Sequence, residues 1–252
     1  MSDPKKTVSF GYRDVAPEEK PALVRGIFSS VARRYDLMND LMSGGIHRLW
    51  KDRFVDWLNP QPGMAVLDVA GGTGDIALRI SERTRGHKGG EGKITVCDIS
   101  LAMLEQGMRR AQPRKANIAW VCGDAEKLPI EDASQDAYTI AFGIRNTTHL
   151  PDVLAEAYRV LKPGGRFLCL EFSRVAAPGL DALYDLYSFA VLPRLGEIVA
   201  GDGDAYRYLA ESIRRFPAQG AFAKAIREAG FSQVKYRNLS GGIAAMHSGW
   251  KV

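Results

Sequence analysis

The chain has 252 residues, 46% of them hydrophobic and 25% charged, and carries a net charge of +5. This suits one large soluble domain, or a domain with a helical extension, and is too rich in apolar residues for a disordered chain. No apolar run reaches the roughly 20 residues of a spanning helix, and Met1-Ser2-Asp3-Pro4-Lys5-Lys6 lacks the apolar segment of a secretory leader. Basic residues come as scattered pairs, such as Arg33-Arg34 and Arg214-Arg215. Such pairs read first as solvated faces, and second as contact with an anionic membrane face. Cys97, Cys122 and Cys169 all fall in predicted strands, so they read as buried, reduced thiols. The expectation is a cytoplasmic protein, with peripheral contact at the inner membrane face as the second option.

Residues 1 to about 20 are polar and without periodicity, and are expected to be mobile or loosely docked. Val24, Ile27, Phe28, Val31 and Tyr35 then recur at helical spacing. After Ser43-Gly44-Gly45, the positions Leu49, Trp50, Phe54, Trp57 and Leu58 predict a second amphipathic helix, which Pro60 and Pro62 end. From there strands are predicted at 65–70, 93–98, 118–123, 136–142 and 166–172, and helices at 75–84, 100–111 and 152–161. Ser100 is the predicted N-cap of the second of these helices. Alternation of this kind gives βαβ units and a mostly parallel sheet. A further helix at 218–229 stops at Gly230, and two strands then flank Gly241-Gly242. Strands so close form an antiparallel hairpin.

The stretch from Val66 to Asp75 carries the first functional signal. An apolar strand runs into Gly71, Gly72, Thr73 and Gly74, a turn whose glycines let backbone approach a ligand, with Asp68 near the strand end. Gly72-Thr73-Gly74-Asp75-Ile76-Ala77 also fits the dinucleotide pattern, so the turn alone leaves nicotinamide cofactors open. About 24 residues past Gly74, a second strand ends in Asp98, where an acid often holds ribose hydroxyls. A third strand ends at Cys122-Gly123-Asp124-Ala125, an acid beside a small residue that suits an adenine amino group and ring. The turn Lys162-Pro163-Gly164-Gly165 feeds the fifth strand. Their order, with the terminal hairpin, favours S-adenosyl-L-methionine (SAM) over a nicotinamide cofactor, whose folds generally complete a second parallel half.

Longer blocks carry a more specific resemblance. Residues Phe28 to Lys51, Phe142-Gly143-Ile144-Arg145-Asn146-Thr147-Thr148, Arg159 to Ser173 and Tyr206 to Ile213 resemble the ubiquinone/menaquinone biosynthesis C-methyltransferases known as UbiE. The likeness runs from about Phe10 to the end. Two departures are Ala141, where many members have serine, and the tail from His247 to Val252. The resemblance implies an α/β class I SAM-dependent methyltransferase: Rossmann-like, with a mostly parallel sheet, a terminal antiparallel hairpin and added N-terminal helices. It divides the chain into a helical extension at 1–60, part of a substrate cover, and a methyltransferase domain at 61–252.

By the same resemblance SAM binds at Asp68, Gly71, Gly72, Thr73, Gly74, Asp98, Asp124 and Ala125. The substrate would be a polyprenyl benzoquinol, and a demethylmenaquinol as a second choice. Arg145 and Asn146 would position the quinol oxygens or a water. Arginine stays protonated, so its role is electrostatic rather than that of a proton acceptor, weighed against a simple ion pair with a surface acid. Tyr35, Asp36 and Asn39 would close over the pocket, and the dense apolar segment from Leu180 to Leu192 would offer a groove for the tail. His47 reads as a packing or capping residue, and His87, His149 and His247 as loop or edge residues. No His/Cys cluster has metal-ligand spacing, so no metal is expected. Three other functions stay in view: nicotinamide-dependent oxidoreduction, methylation of nucleic acid, and a SAM-binding scaffold in a quinone-biosynthesis complex. Residues Ala141 to Ile144 lack the Pro-Pro-aromatic signature of amino methylation, so no nucleic-acid partner is expected.

Overall fold

Short strands, several of them apolar and followed by an amphipathic helix, assemble into a seven-stranded sheet covered on both faces. The computed structural model describes residues 7–31, 40, 43–86, 92–175 and 203–252. Tyr35, Asp36, Asn39, His87 and the segment from Leu180 to Leu192 lie outside the described residues.

At the amino end, β1 (Val8–Phe10) and β2 (Arg13–Val15) pair antiparallel, followed by α1 (Lys20–Val31) and α2 (His47–Leu58). The sheet then builds from β3 (Ala65–Val69), α3 (Asp75–Thr84), β4 (Lys93–Asp98), α4 (Leu101–Ala111), β5 (Ile118–Cys122) and β6 (Gln135–Ala141). It continues with α5 (Leu150–Val160), β7 (Leu161–Phe172), α6 (Gly203–Arg215), α7 (Gln219–Glu228), β8 (Ser232–Leu239) and β9 (Ala244–Trp250). The strand order is β5-β4-β3-β6-β7-β9-β8, and the first five strands run parallel. β9 sits antiparallel between β7 and β8, with Arg166 opposite Trp250 and Phe172 opposite Ala244. The chain steps outward from β3 through β4 to β5, then returns to β6 on the other side of β3. That reversal opens a crevice at the carboxyl ends of β3 and β6, where open α/β sheets bind their ligands.

The central strand β3 is buried on both faces: Val66, Leu67 and Val69 are each at most 1% exposed. This is why it reads as a continuous apolar run instead of an alternating one. Two clusters cover the faces, one with Val66, Ile76, Ile94 and Leu104, the other with Leu67, Tyr138, Phe167 and Phe222. α2 joins the first through Trp50, Phe54, Val55 and Leu58, and the Trp50 ring meets Phe172 edge-on at 6.0 Å. Burying each such side chain contributes about 1.5–3 kcal/mol, so α2 is part of the core.

Four expectations are corrected. Residues Val8 to Val15 form a docked hairpin: Phe10 stacks on Tyr208 at 4.4 Å, and the Tyr12 amide donates to Glu211 Oε2 at 2.9 Å. Three-residue strands are too short to show a period, and their stability comes from α6. His247 is no loop or edge residue; it is buried in β9, its Nε2 3.0 Å from the Gln219 carbonyl. Cys122 is exposed, because β5 is the sheet edge, while Cys97 and Cys169 are buried as expected. Ser100 occupies the N-cap position of α4 without a side-chain cap bond. Among the described residues no helix is long and apolar enough to cross a membrane.

Candidate active site

A cleft opens at the crevice, where ligands of open α/β sheets bind. Its floor is the strand ends: Ala70 and Gly72 after β3, Asp98 at the end of β4, Asp124 and Ala125 after β5, Phe142 and Gly143 after β6. α1 roofs it with Pro21, Val24, Arg25 and Phe28. The roof is tied down by Lys20, a buried lysine whose Nζ donates to the Thr147 carbonyl at 2.7 Å. Burial lowers the Lys20 pKa, and the Glu126 carboxylate opposes that shift.

The backbone at the switch point is strained. Ala70 and Phe142 hold left-handed φ values of 48° and 57°, conformations that cost a non-glycine residue on the order of 1–3 kcal/mol. Gly143 explains how close the turns come: a Cβ there would lie 2.4 Å from the Ala70 Cβ.

Asp98 is held from two sides. Its Oδ1 accepts from the Ser100 amide at 2.8 Å and its Oδ2 from the Gly72 amide at 2.9 Å. Burial pushes its pKa up, and the two amides pull it back. Each carboxylate oxygen has a second lone pair, so both can still accept a ligand hydroxyl. Ser100 also lines the cleft, and its buried Oγ has no partner. Asp124 accepts from the Glu126 amide at 2.9 Å, which sets the turn that presents Ala125.

Gly71, Thr73, Gly74 and Asp68 were expected at the ligand, and none of them lines the cleft. They build the turn from behind. Asp68 is fully buried, accepts from Thr139 Oγ1 at 2.8 Å, and sits under Gly71, whose Cβ would lie 2.8 Å from Asp68 Oδ2. Burial pushes its pKa up to about 7, against hydrogen bonds from Thr139 and the Ala77 amide. Thr73 is buried and accepts from Arg110 Nη1 at 2.7 Å. A Cβ on Gly74 would strike the Trp120 ring at 2.5 Å.

Asn146 lines the cleft, but Arg145 does not. Arg145 is buried and pairs with Glu171, Nη1 to Oε1 at 2.6 Å; the same nitrogen donates to the Phe142 carbonyl at 2.7 Å. Its partner is therefore a buried acid on β7, not the surface acid considered above. Burial pushes the Glu171 pKa up and Arg145 opposes it. Arg145 Nε has no partner, and the residue lines a second cavity with Lys20, Tyr208, Ser212 and Arg215. Sequence reasoning missed Glu171, Lys20 and Tyr208 as members of the site. The one signal for Glu171 was a lone acid in the apolar run from Phe167 to Phe172.

The two acids reach the cleft from β4 and β5, across β3 from the β6 side that carries Asn146. A family model described as the ubiE/COQ5 methyltransferase family matches residues 13–251. The chain belongs to that family. It is 58% identical to a protein of Paracoccus denitrificans named "Ubiquinone/menaquinone biosynthesis C-methyltransferase UbiE", over 99% of this chain and 98% of the relative. It is also 56% identical to a rice protein named "2-methoxy-6-polyprenyl-1,4-benzoquinol methylase, mitochondrial", over 97% and 88% respectively. The fold matches the crystal structure of a SAM-dependent methyltransferase from Aquifex aeolicus with a TM-score of 0.62 at 15% identity, covering 89% of this chain and 98% of that one.

In this methyltransferase, one group among the described residues has metal-ligand proximity: Glu126, His149 and Asp152, with ligand atoms within 4.8 Å of one another. The protein already uses these atoms. Glu126 Oε1 accepts from the Thr148 and His149 amides at 2.5 and 3.0 Å, and Oε2 lies 3.0 Å from His149 Nδ1. The carboxylate thus covers the amino end of α5, where a negative charge is favoured. His47 packs as expected, buried with Nε2 2.8 Å from Asp40.

Proposed function

We propose that this methyltransferase carries a methyl group from SAM to a ring carbon of a polyprenylated benzoquinol, with a demethylmenaquinol as a second substrate. The reading rests on one arrangement: Asp98 and Asp124 on one side of the cleft, Asn146 on the other, under the apolar roof of α1. The names of the Paracoccus and rice relatives point to the quinol class.

The residues present fit SAM. Asp98 would hold the ribose hydroxyls, Asp124 and Ala125 the adenine, and the close backbone of Gly72 the amino-acid end. The unpartnered Ser100 hydroxyl gives the ligand a further polar contact. When bound, SAM supplies an electrophilic methyl on a sulfonium. The protein's task is to orient the acceptor ring and hold it away from water, which can supply on the order of 7–11 kcal/mol. Gly71, Thr73, Gly74 and Asp68 serve by keeping the turn in place.

The quinol must shed a hydroxyl proton for electron density to rise at a ring carbon. Arg145 stays protonated, so it is not the proton acceptor. It lends positive potential near Asn146 and orients a water in the neighbouring cavity, which can take the proton. By the family resemblance Tyr35 and Asn39 would join the substrate cover, and Leu180 to Leu192 would take the prenyl tail. Leu49 on α2 is 64% exposed and Ile46 before it 43%, beside Arg53, a surface suited to peripheral contact with an anionic bilayer.

The test is methyl transfer from labelled SAM to tailed and tailless rings, under reducing and oxidising conditions. The tailed quinol should react with the higher kcat/KM, since each buried methylene is worth about 0.8 kcal/mol. Equal rates for quinol and quinone would sink the carbon-nucleophile reading. Equal rates with and without the tail would sink the tail site.

A further inference from the structure

Asn146 lies on the cleft wall, yet its amide is not free to choose how it faces the ligand. The Tyr208 hydroxyl, brought from α6, donates to Asn146 Oδ1 at 3.1 Å. Among the described residues nothing accepts a hydrogen bond from Asn146 Nδ2. The opposite orientation of the amide is disfavoured by the tyrosine. Tyr208 is 5% exposed, and among the described residues its one hydroxyl proton has Asn146 as its acceptor. Flipping the amide would cost the hydroxyl this acceptor, a loss of about one net hydrogen bond.

From this geometry we infer that Tyr208 is a positioning residue that turns the Asn146 amide so that its NH2 group, a donor, is what the substrate oxygen meets. The inference rests on the placing of Asn146 at the quinol given above. A donor there favours the deprotonated quinol oxygen over the neutral one, because a hydrogen bond to the charged form stabilises that form. An acceptor at the same place would do the reverse. Burial raises the Tyr208 pKa, which agrees with a hydroxyl that keeps its proton and stays a donor.

Tyr208 is itself braced by elements far from it in sequence. Phe10 of β1 stacks on its ring, with the planes 27° apart. The Gly11 turn packs on Glu211, one helical turn further along α6, and Tyr12 bonds to the same side chain. The amino-terminal hairpin therefore reaches the reacting end of the cleft through one aromatic contact and one hydroxyl. Loosening β1 would be felt at Asn146 before it was felt at Asp98, which is held by the Gly72 and Ser100 amides.

The experiment compares the full-length protein with Tyr208→Phe, Asn146→Ala, the double variant and Asn146→Asp. Tyr208→Phe deletes the hydroxyl and keeps the ring against Phe10, so thermal melting should be near that of the unmodified protein. Its kcat on a tailed quinol should fall by about fivefold, the worth of one net hydrogen bond. The pH limb for quinol ionisation should move to higher pH, and affinity for S-adenosylhomocysteine should hold. In the double variant the Tyr208 change should add nothing to Asn146→Ala, since the two act as one unit. Asn146→Asp, which offers an anionic acceptor, should be worse than Asn146→Ala. Additive effects, an unmoved pH limb, or an Asn146→Asp variant better than Asn146→Ala would each overturn the inference. If Asn146→Ala itself matched the unmodified enzyme, the placing of Asn146 at the quinol would fail as well. An impaired Asn146→Ala beside a normal Tyr208→Phe would reject the tyrosine's role alone.

Discussion

Replacing Glu171 by alanine should destabilise the whole domain, and the structure sets the scale. The Glu171 side chain is 1% exposed and that of Arg145 3%, so each charge depends chiefly on the other. Glu171 Oε1 accepts from Arg145 Nη1 at 2.6 Å and from the Phe172 amide at 2.9 Å, while Oε2 lies 3.4 Å from the Arg145 amide. The truncated variant would keep a buried guanidinium with the Phe142 carbonyl as its remaining hydrogen-bond acceptor among the described residues. Breaking one side of such a pair costs about 3–5 kcal/mol. For a domain of this size each kcal/mol moves Tm by about 2–4 °C, so the expected drop is about 6–20 °C. Calorimetry and urea titration measure it directly. Glu171→Leu combined with Arg145→Met removes both charges and should recover much of the loss, since apolar replacement of a whole buried pair is often neutral. The double variant should fold and bind S-adenosylhomocysteine while methyl transfer stays low. A Tm within about 2 °C of the unmodified protein for Glu171→Ala would refute the buried-pair argument, being less than the shift from 1 kcal/mol. A double variant less stable than the single one would refute it too.

Asp98→Ala should weaken S-adenosylhomocysteine binding by about 1–3 kcal/mol, roughly five- to 150-fold by calorimetric titration. The upper end is expected because the Gly72 and Ser100 amides also lose their acceptor. Gly143→Ala should place a methyl against Ala70 and reduce cofactor affinity, with about 1–3 kcal/mol lost to overpacking in urea denaturation. Gly220→Ala, with nothing within 4 Å of the new Cβ, serves as its neutral control. Burial lowers the His247 pKa from 6.5 to about 4, the Gln219 carbonyl opposing the shift. Because the folded state binds this proton less tightly than the unfolded chain, its contribution is present above the unfolded value and lost as pH falls from 6.5 towards 4. His247→Gln should therefore lose less stability than the unmodified protein between neutral pH and pH about 4.5, measured by urea unfolding.

The strands that make the site were legible because their apolar runs and the glycine turn are local signals. Lys93 to Asp98 carries its own period, and a parallel strand that ends in an acid must deliver that acid to the ligand edge. Asp98, Asp124 and Ala125 line the cleft on that ground, and the terminal hairpin across Gly241-Gly242 forms as the sequence spacing predicts. Local period cannot say which side chains from separate elements will meet. Asp68 reads like a ligand-facing acid until Thr139, 71 positions away, takes its carboxylate under the turn. Arg145 reads like an open cation until β7 lies beside β6 and sets Glu171 against it. The hairpin of Val8 to Val15 has strands too short to stand alone, and takes its place from Tyr208 and Glu211. A period is written in neighbours along the chain, whereas the partner of a buried charge or amide is chosen by packing, where an unmatched group costs more than most single contacts supply.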